Sequence, residues 1–506
     1  MKLIREQPRG FNLFSLPGIK QLIRWKYSRF LFQLPLLILS IFVIIDGFTG
    51  RQIAPRNIAT ASVWLHYRGF VVIALALFGN AFCSACPLML TRGFSKWLKN
   101  ALPFKFTWPK ALKNKYFVTF FLLAYFFTYE YFDLWASPWL TAWLAVGYFS
   151  TALVIDTLFP AGTFCRYVCP LGNFNFLYAS ASPSQISAID HDVGRSCADK
   201  PCLQGRFSAE AKPAKLPQQT NGSASTAFIA LADIKNQNGS GFFPGCETEL
   251  FVPTIQSNMD CTYCFNCVRA CPYDNVALSV RPPFWEWLKD PWQSRGRLPL
   301  MVMGVLLTVY GLMNAIAMIP PYYSYAQYVA DSLHTNSELL VLALFFLGFA
   351  IIGLSLSLLF ASLADLAGGK GWQPKKAFMR WGYVTVALGF GFWTAHYLFH
   401  FLTGALSIFP IFEHFFAYRG FNIDPNWRMS QFVPSKWLFP LTAGISTVYA
   451  FLASFVAIKI SLRDFKDRGV LAMWPMLIYI LIFAVFGIWI LAQPMEMRGT
   501  IFQPSF

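Results

Sequence analysis

Four cysteines near the middle of the chain have a spacing that suits an iron–sulfur cluster. Residues 261–275 read CTYCFNCVRACPYDN, so that Cys261, Cys264, Cys267 and Cys271 are separated by two, two and three residues, with a proline after the last. A ferredoxin-type run has this spacing, and its fourth cysteine usually serves a second cluster. Zinc sites favour two separated cysteine pairs. The run therefore predicts a four-iron cluster.

Three further cysteines precede this run. Cys197 and Cys202 lie in GRSCADKPCLQG, and Cys246 lies in FFPGCETEL. Together with the run they make seven thiols, one fewer than two all-cysteine four-iron clusters need. We expect two clusters in this part of the chain. Three solutions stay open: a single cluster with spare thiols, a three-iron cluster, or a non-cysteine ligand from Asp192, Asp199 or His191.

Two cysteine pairs that each end in Cys-Pro-Leu lie next to apolar segments. FCSACPLM contains Cys83 and Cys86, and FCRYVCPLG contains Cys165 and Cys169. Residues three or four positions apart share one face of a helix, so each pair can direct two sulfurs the same way. We expect the four thiolates to bind a further cluster. The alternative is that they are buried small apolar side chains.

The composition is that of a membrane protein. Of 506 residues, 56% are hydrophobic and only 13% are charged, whereas about a quarter are charged in soluble proteins. The net charge of +17 lies in clusters between apolar segments, as the positive-inside rule requires, and we expect no nucleic-acid partner. Segments of about 20 apolar residues can cross a bilayer. Nine are predicted: 30–49, 67–90, 116–135, 138–160, 298–319, 338–361, 381–403, 437–459 and 471–492.

The distribution of Lys and Arg predicts the orientation and the domains. Basic clusters precede the first predicted span and follow the second, while the loop 320–337 has no Lys or Arg. We therefore expect a multi-pass protein of the bacterial cytoplasmic (inner) membrane, with a cytoplasmic N-terminus and an external C-terminus. The predicted parts are a basic arm (1–29), a four-helix membrane domain (30–170), a cytoplasmic ferredoxin-like domain (171–297) and a five-helix membrane domain (298–506).

Two histidines in the second membrane half are candidates for a further site. His396 and His400 stand four residues apart in FWTAHYLFHFLTG, inside a predicted span. Ionisable residues within a membrane are functional candidates. They could bind haem b with a partner such as His66, or they could bind a quinone and accept its proton. The alternative is that they pack among aromatic side chains.

The first 290 residues resemble the NapH/NosR type of membrane polyferredoxin. The resemblance lies in four spans with a Cys-Pro corner after the second and the fourth, and in the cysteine run that follows. It implies that the four corner cysteines and the four run cysteines are redox ligands, and that electrons move between the quinone pool and redox partners. CRYVCP matches the usual corner of the family, whereas CSACP is one residue shorter and the first ferredoxin run is replaced by scattered cysteines.

The expected fold is mainly α, a polytopic helical membrane protein with an inserted iron–sulfur domain. No nucleotide-binding loop or hydrolase triad is present, so we expect no soluble-substrate enzyme but an oxidoreductase subunit with two to three 4Fe-4S clusters. Its expected partners are membrane lipid, other redox subunits and a quinone. Two alternatives stay open: a metal-cofactor assembly factor and a redox-sensing membrane regulator.

Overall fold

The structure is a computed structural model, and it describes residues 10–101, 106–207, 242–289, 297–430 and 432–495. The described residues are mainly helical. The helices are α1 (Ile19–Arg24), α2 (Ser28–Thr49), α3 (Ile58–Phe78), α4 (Ala81–Ser84), α5 (Thr91–Ala101), α6 (Lys115–Tyr131), α7 (Pro138–Leu158), α8 (Pro170–Tyr178), α9 (His191–Ser196), α10 (Pro201–Gln204), α11 (Asn266–Ala270), α12 (Trp285–Lys289), α13 (Leu298–Ile316), α14 (Pro320–Ser332), α15 (Glu338–Ala367), α16 (Pro374–Gly404), α17 (Ile408–Tyr418), α18 (Ser435–Phe465) and α19 (Gly469–Ala492).

Seven helical stretches within the described residues are long and apolar enough to cross a membrane. The prediction of nine spans differs from this number for two reasons. Two predicted spans, α18 and α19, lie in one apolar stretch, Ser435–Ala492, interrupted by a short turn. A third, α6, has 17 residues, which is at the lower limit of the roughly 17–25 residues that cross a bilayer.

Side chains on the outside of these helices are those expected for contact with lipid. Leu347, Ile351 and Phe451 are between 60% and 72% exposed. Large apolar surfaces of this kind are rare on soluble proteins. These helices have the length and the apolar outer surface of membrane spans, which indicates a membrane protein.

Polar residues define where several of these helices begin. Asn114, Ser137 and Ser337 each accept a backbone hydrogen bond from the first turn of α6, α7 and α15, respectively. Short oxygen-bearing side chains are favoured at this position because they satisfy N–H groups that have no partner within the helix. Pro138, the first residue of α7, lacks an N–H and costs nothing there.

Helix α16 lies at the centre of the membrane part. Its residues from Trp381 to Tyr397 are all buried, and it contacts α3, α13, α15 and α18. Close approach depends on glycine at several points: a Cβ at Gly391 would lie 2.2 Å from the Cβ of Tyr449 in α18. A helix surrounded on all sides in this way is apolar all round, unlike a surface helix with one apolar stripe.

A small part of the chain, within residues 171–297, lies between the two membrane halves and contains the described strands. Strand β1 (Ser184–Ala188) pairs antiparallel with β4 (Val276–Val280), and β2 (Arg206–Phe207) pairs antiparallel with β3 (Phe242–Phe243). Ser184 lies opposite Val280, and the N-terminal segment adds a bridge from Asn12 to Ser279. The ferredoxin-like fold expected for 171–297 stays a prediction.

A buried ion pair joins this small part to the segment that leads back into the helices. Arg281 Nη2 lies 2.7 Å from Glu286 Oε1, and neither side chain is exposed. The Glu286 carboxylate also accepts hydrogen bonds from Ser257 Oγ at 2.6 Å and from Asn258 N at 2.7 Å. Its removal would leave a buried guanidinium without its counter-ion.

We predict that Glu286→Ala lowers the free energy of unfolding by about 3–5 kcal/mol, because a buried charge then loses its partner. Thermal unfolding of the detergent-solubilised chain would measure this. The matched control is Glu249→Gln, since Glu249 is 67% exposed and 3.8 Å from Arg166; its effect should stay within about 0.5 kcal/mol. Equal effects of the two substitutions would contradict the prediction.

Candidate functional site

The second cysteine of each Cys-Pro pair is positioned by the proline that follows it. Residues before proline avoid the helical region, and Cys86 and Cys169 are extended, with ψ angles of 119° and 112°. A 3₁₀ helix begins directly after Cys86, and α8 begins directly after Cys169. The sulfur of Cys169 accepts a hydrogen bond from Gly172 N at 3.2 Å. It thus occupies the N-cap position, where a negative charge is favoured by the helix dipole.

The first cysteine of each pair follows a glycine with positive φ. Gly79 (φ 65°) ends α3 before Cys83 in α4, and Gly162 (φ 86°) precedes Cys165, which lies in a π-helical turn. A Cβ at Gly162 would lie 1.8 Å from the Glu247 carbonyl oxygen. Only glycine allows so close an approach, and this approach brings Cys165 beside the segment that contains Cys246.

All four corner cysteines line one cavity of about 260 Å³ inside the helical bundle. Their pairs are separated by about 80 residues in the chain, yet Cys83, Cys86, Cys165 and Cys169 face the same space. The cavity extends along α3 and α7 to Arg68 and is mostly apolar. The structure therefore brings together the two pairs that sequence analysis assigned to a common site.

Hydrogen-bond donors surround the corner sulfurs. Asn175 Nδ2 lies 3.7 Å from the sulfur of Cys83, and Arg92 Nη2 lies 3.7 Å from that of Cys165. Burial raises the pKa of Cys83 to about 12 and raises the pKa of Cys165 and Cys169 as well. A thiolate here needs a bound cation to offset its desolvation, and donors to a ligating sulfur tune the potential of a metal centre.

The seven cysteines of the small part separate into a set of four and a set of three. Burial raises the pKa of Cys261, Cys264 and Cys267, and the neighbouring Cys246 raises it further in all three. The sulfur of Cys246 accepts a hydrogen bond from Leu250 N at 3.3 Å. Asn266 Nδ2 donates to the Gly245 carbonyl oxygen at 3.2 Å, and Thr262 Oγ1 donates to Glu247 Oε2 at 3.5 Å. These contacts place the segment of Cys246 beside Cys261, Cys264 and Cys267, which together with Cys246 are the set of four, whereas Cys271 lines a different pocket.

The set of three consists of Cys197, Cys202 and Cys271, which line a second, smaller pocket together. The Cys271 sulfur accepts a hydrogen bond from Asn275 N at 3.3 Å. The two sets adjoin, since Cys246 N donates to the Cys202 carbonyl oxygen at 3.0 Å. This division follows the ferredoxin rule that the last cysteine of a run serves the other cluster.

The three candidates for an eighth ligand do not line this pocket. The Asp192 side chain is 88% exposed, and Asp199 is exposed as well. His191 Nδ1 lies 3.2 Å from the Pro253 carbonyl oxygen. Among the described residues, no histidine or carboxylate lines the pocket of the three cysteines.

The cysteine sets are close to one another across the junction between the helices and the small part. Asn80 Nδ2 donates to the carbonyl oxygens of Cys261 at 2.7 Å and of Asn258 at 3.0 Å. Thr262, next to Cys261, lines the corner cavity. The set of four is thus in direct contact with the structure around the corner cysteines.

Buried ion pairs close this junction. Arg92 contacts Glu247 at 2.6 Å and Asp156 at 2.9 Å, and Arg29 Nη2 donates to Glu247 at 3.0 Å. Burial would raise the pKa of Glu247, but the two arginines lower it to about 2. From the sequence, Arg29 and Arg92 indicated only the topology, and the carboxylates that they contact were not identified. The position of Glu247 directly after Cys246 could have pointed to this carboxylate.

A second pair lies on the other side of the junction. Lys115 Nζ lies 2.5 Å from Asp260 Oδ1 and 2.7 Å from Asn173 Oδ1. Burial would raise the pKa of Asp260, but Lys115 and Arg166 lower it. Asp260 directly precedes Cys261, so both acids that anchor the small part are adjacent in sequence to cysteines of the set of four.

The three candidate histidines lie away from the corner cavity. His396 is fully buried with neither ring nitrogen hydrogen-bonded to the described residues, and its ring centroid is 4.8 Å from that of His400. His66 Nδ1 lies 3.0 Å from the Ala61 carbonyl oxygen, and its ring packs edge to face on Phe401. His400 lines a separate cavity of about 700 Å³, and neither His66 nor His396 lines that cavity or the corner cavity.

Arg68, which sequence analysis did not single out as a site residue, lines both cavities. Its guanidinium lies 5.0, 4.7 and 5.2 Å from the ring centroids of Trp64, Tyr129 and Tyr397. It is only 7% exposed. Tyr148 OH, on the wall of the corner cavity, is also buried without a hydrogen-bond partner in the described residues.

Among the described residues, no three His, Cys, Asp or Glu side chains are grouped closely enough to hold a single metal ion. Thiolates that bind a four-iron cluster are farther apart than those of a zinc site, because the cluster lies between them. The iron–sulfur clusters at these cysteine sets therefore stay a prediction. Comparisons with protein-family models, curated proteins and solved structures found no match to this chain.

We predict that cysteine substitutions in the small part fall into two classes. Cys246→Ser and Cys267→Ser should abolish the same EPR signal of the reduced chain, whereas Cys202→Ser and Cys271→Ser should abolish a different one. The reason is that the two members of each class share one set in the structure. The division would be contradicted if Cys267→Ser and Cys271→Ser abolished the same EPR signal.

Proposed function

We propose that the chain is a membrane electron carrier, a subunit of an oxidoreductase, that passes electrons between a quinone and a redox partner through 4Fe-4S clusters. The observation that carries the proposal is the convergence of Cys83, Cys86, Cys165 and Cys169 on one apolar cavity within the bundle. Clusters bound by such thiolates supply one-electron chemistry. The set of four cysteines next to this cavity extends the series of sites towards the surface.

The same cavity supports a quinone as the membrane partner. An apolar cavity with a few polar groups is the usual form of a small-molecule site, and here the polar groups include Arg68 and Tyr148. Arg68 N–H and Tyr148 O–H can donate to the two carbonyl oxygens of a quinone. Each oxygen gains a proton when the quinone takes up two electrons and two protons to become a quinol, and donors stabilise the negative charge that develops before it is protonated.

This assignment moves the quinone from the histidines to the cavity of the corner cysteines. His396 and His66 line neither cavity, and His400 lines the one on the far side of Arg68. Neither cavity is lined by His66 or by His396, so neither supports a haem between these two histidines. The proposal therefore depends on Arg68 and Tyr148.

We expect Arg68→Met and Tyr148→Phe each to slow oxidation of the reduced chain by a short-tailed quinone about tenfold, the cost of about one hydrogen bond to a developing charge. Stopped-flow absorbance in nanodiscs would measure the rate, and iron content should not change. Cys169→Ser should abolish the reaction and remove about four irons.

Tyr116→Phe is the matched control for Tyr148→Phe, because Tyr116 is 46% exposed and lies outside the cavity; its rate should match that of the unsubstituted chain. Full iron content in Cys169→Ser would mean that the corner cysteines are structural. Unchanged rates in both Arg68→Met and Tyr148→Phe would overturn the quinone assignment.

The alternatives differ in how they hold iron. A metal-cofactor assembly factor would give labile, substoichiometric iron, whereas an electron carrier would keep stable clusters with reversible EPR signals. A redox-sensing regulator would need a partner that responds to the oxidation state of the chain. Iron content and EPR of the anaerobically purified chain therefore distinguish the carrier from the assembly factor.

For the orientation, we propose that the cysteine end of the bundle faces the cytoplasm of a bacterium. The support is the series of bases at this end, including Lys99, Lys110 and Lys113, since short cytoplasmic loops are rich in Lys and Arg. Alkaline phosphatase, which is active only outside the inner membrane, should be inactive when fused after Lys113 and active when fused after Leu333. The reverse result would invert the topology.

A further inference from the structure

The pocket of Cys197, Cys202 and Cys271 differs from the other two cysteine sites in its number of thiols. The corner cavity and the set around Cys246 each contain four, and this pocket has three. Its other lining residues are Gly194, Pro201, Val252, Pro253, Pro272, Tyr273, Asn275 and Val276. None of these eight side chains has a carboxylate or an imidazole.

Local structure holds the three cysteines in place. Cys202 lies in α10, and its carbonyl oxygen accepts a hydrogen bond from Cys246 N. Cys271 ends α11, and Asn275 exchanges hydrogen bonds of 2.6 Å with the backbone N–H and carbonyl of Asp190. The strand pair β1–β4 continues directly from these residues. The three thiols therefore belong to a built site.

The side chains nearest in sequence are already directed elsewhere. Asp190 Oδ1 caps α9 by accepting from Asp192 N at 2.8 Å, and His191 contacts the Pro253 carbonyl. Asp192 and Asp199 are exposed. Cys197 and Cys271 are themselves half-buried, so a small solute can reach this side of the set.

We propose that these three thiolates bind a cluster in which one iron has no ligand from the described residues and is exchangeable. Water or another small solute completes the coordination of that iron. The proposal rests on the proposed function only in that the cysteines bind iron–sulfur clusters. It assigns to this chain a site that can lose and regain one iron, whereas the two four-thiolate sets keep theirs.

The expected chemistry balances with ferricyanide as the oxidant. A four-iron cluster of charge 2+ gives up one electron to ferricyanide, which becomes ferrocyanide. The oxidised cluster then separates into a three-iron cluster of charge 1+ and one Fe²⁺. Ferrous iron together with one electron from dithionite reverses the change.

The test uses the full chain, purified anaerobically in detergent and treated with ferricyanide. We expect one Fe²⁺ per chain to be released to a ferrous chelator, together with a three-iron EPR signal that disappears when ferrous iron and dithionite are added. Cys202→Ser should abolish both, and Glu249→Gln, at an exposed position outside the pocket, should leave both.

Three alanine variants test for a protein ligand that replaces the fourth thiol. Asp192→Ala, Asp199→Ala and His191→Ala should each release the same one iron with the same EPR signal. A changed yield or signal in one of them would overturn the proposal and assign the ligand. A chain that holds all its iron but releases none would also overturn it, whereas a chain without iron would overturn the proposed function itself.

Discussion

Glu247 and Asp260 lie beside cysteines of the set of four, and each is buried against basic side chains from the helical bundle. A buried carboxylate is stable only when its charge is compensated. Arg29, Arg92 and Lys115 provide this compensation, and they come from the segments that begin α2, α5 and α6. The position of the small part relative to the bundle, and with it the distance between the cysteine sets, depends on these contacts.

The corner cavity is the point at which the two halves of the proposed function meet. At one end are four sulfurs held by Cys-Pro turns, and along its wall are Arg68 and Tyr148. The interior of the bundle has a low dielectric constant, so a hydrogen bond from either donor to a reduced carbonyl is stronger than it would be in water. Arg68 also separates this cavity from the one that contains His400.

Several features were predictable from local patterns. The extended conformation of Cys86 and Cys169 followed from the proline after each. The order of the apolar segments predicted that both turns lie at one end of the bundle, and in the structure the four cysteines line one cavity. Membrane helices followed from hydropathy. The number of spans did not, since α18 and α19 lie in one apolar stretch and α6 is short. The histidines were candidates for a haem or quinone site because of their residue type. Residue type alone does not show whether a side chain lines a cavity.

By itself, the sequence determined that this is a helical membrane protein, and that its cysteines occur as a run, two Cys-Pro pairs and three scattered residues. These are properties of composition and of spacing over a few residues. Only the tertiary structure decided that Cys246 joins Cys261, Cys264 and Cys267, that Cys271 joins Cys197 and Cys202, and that Arg68 lines the cavity of the corner cysteines. The physical reason is that these relations depend on contacts between segments far apart in the chain, which are formed by buried ion pairs and helix packing.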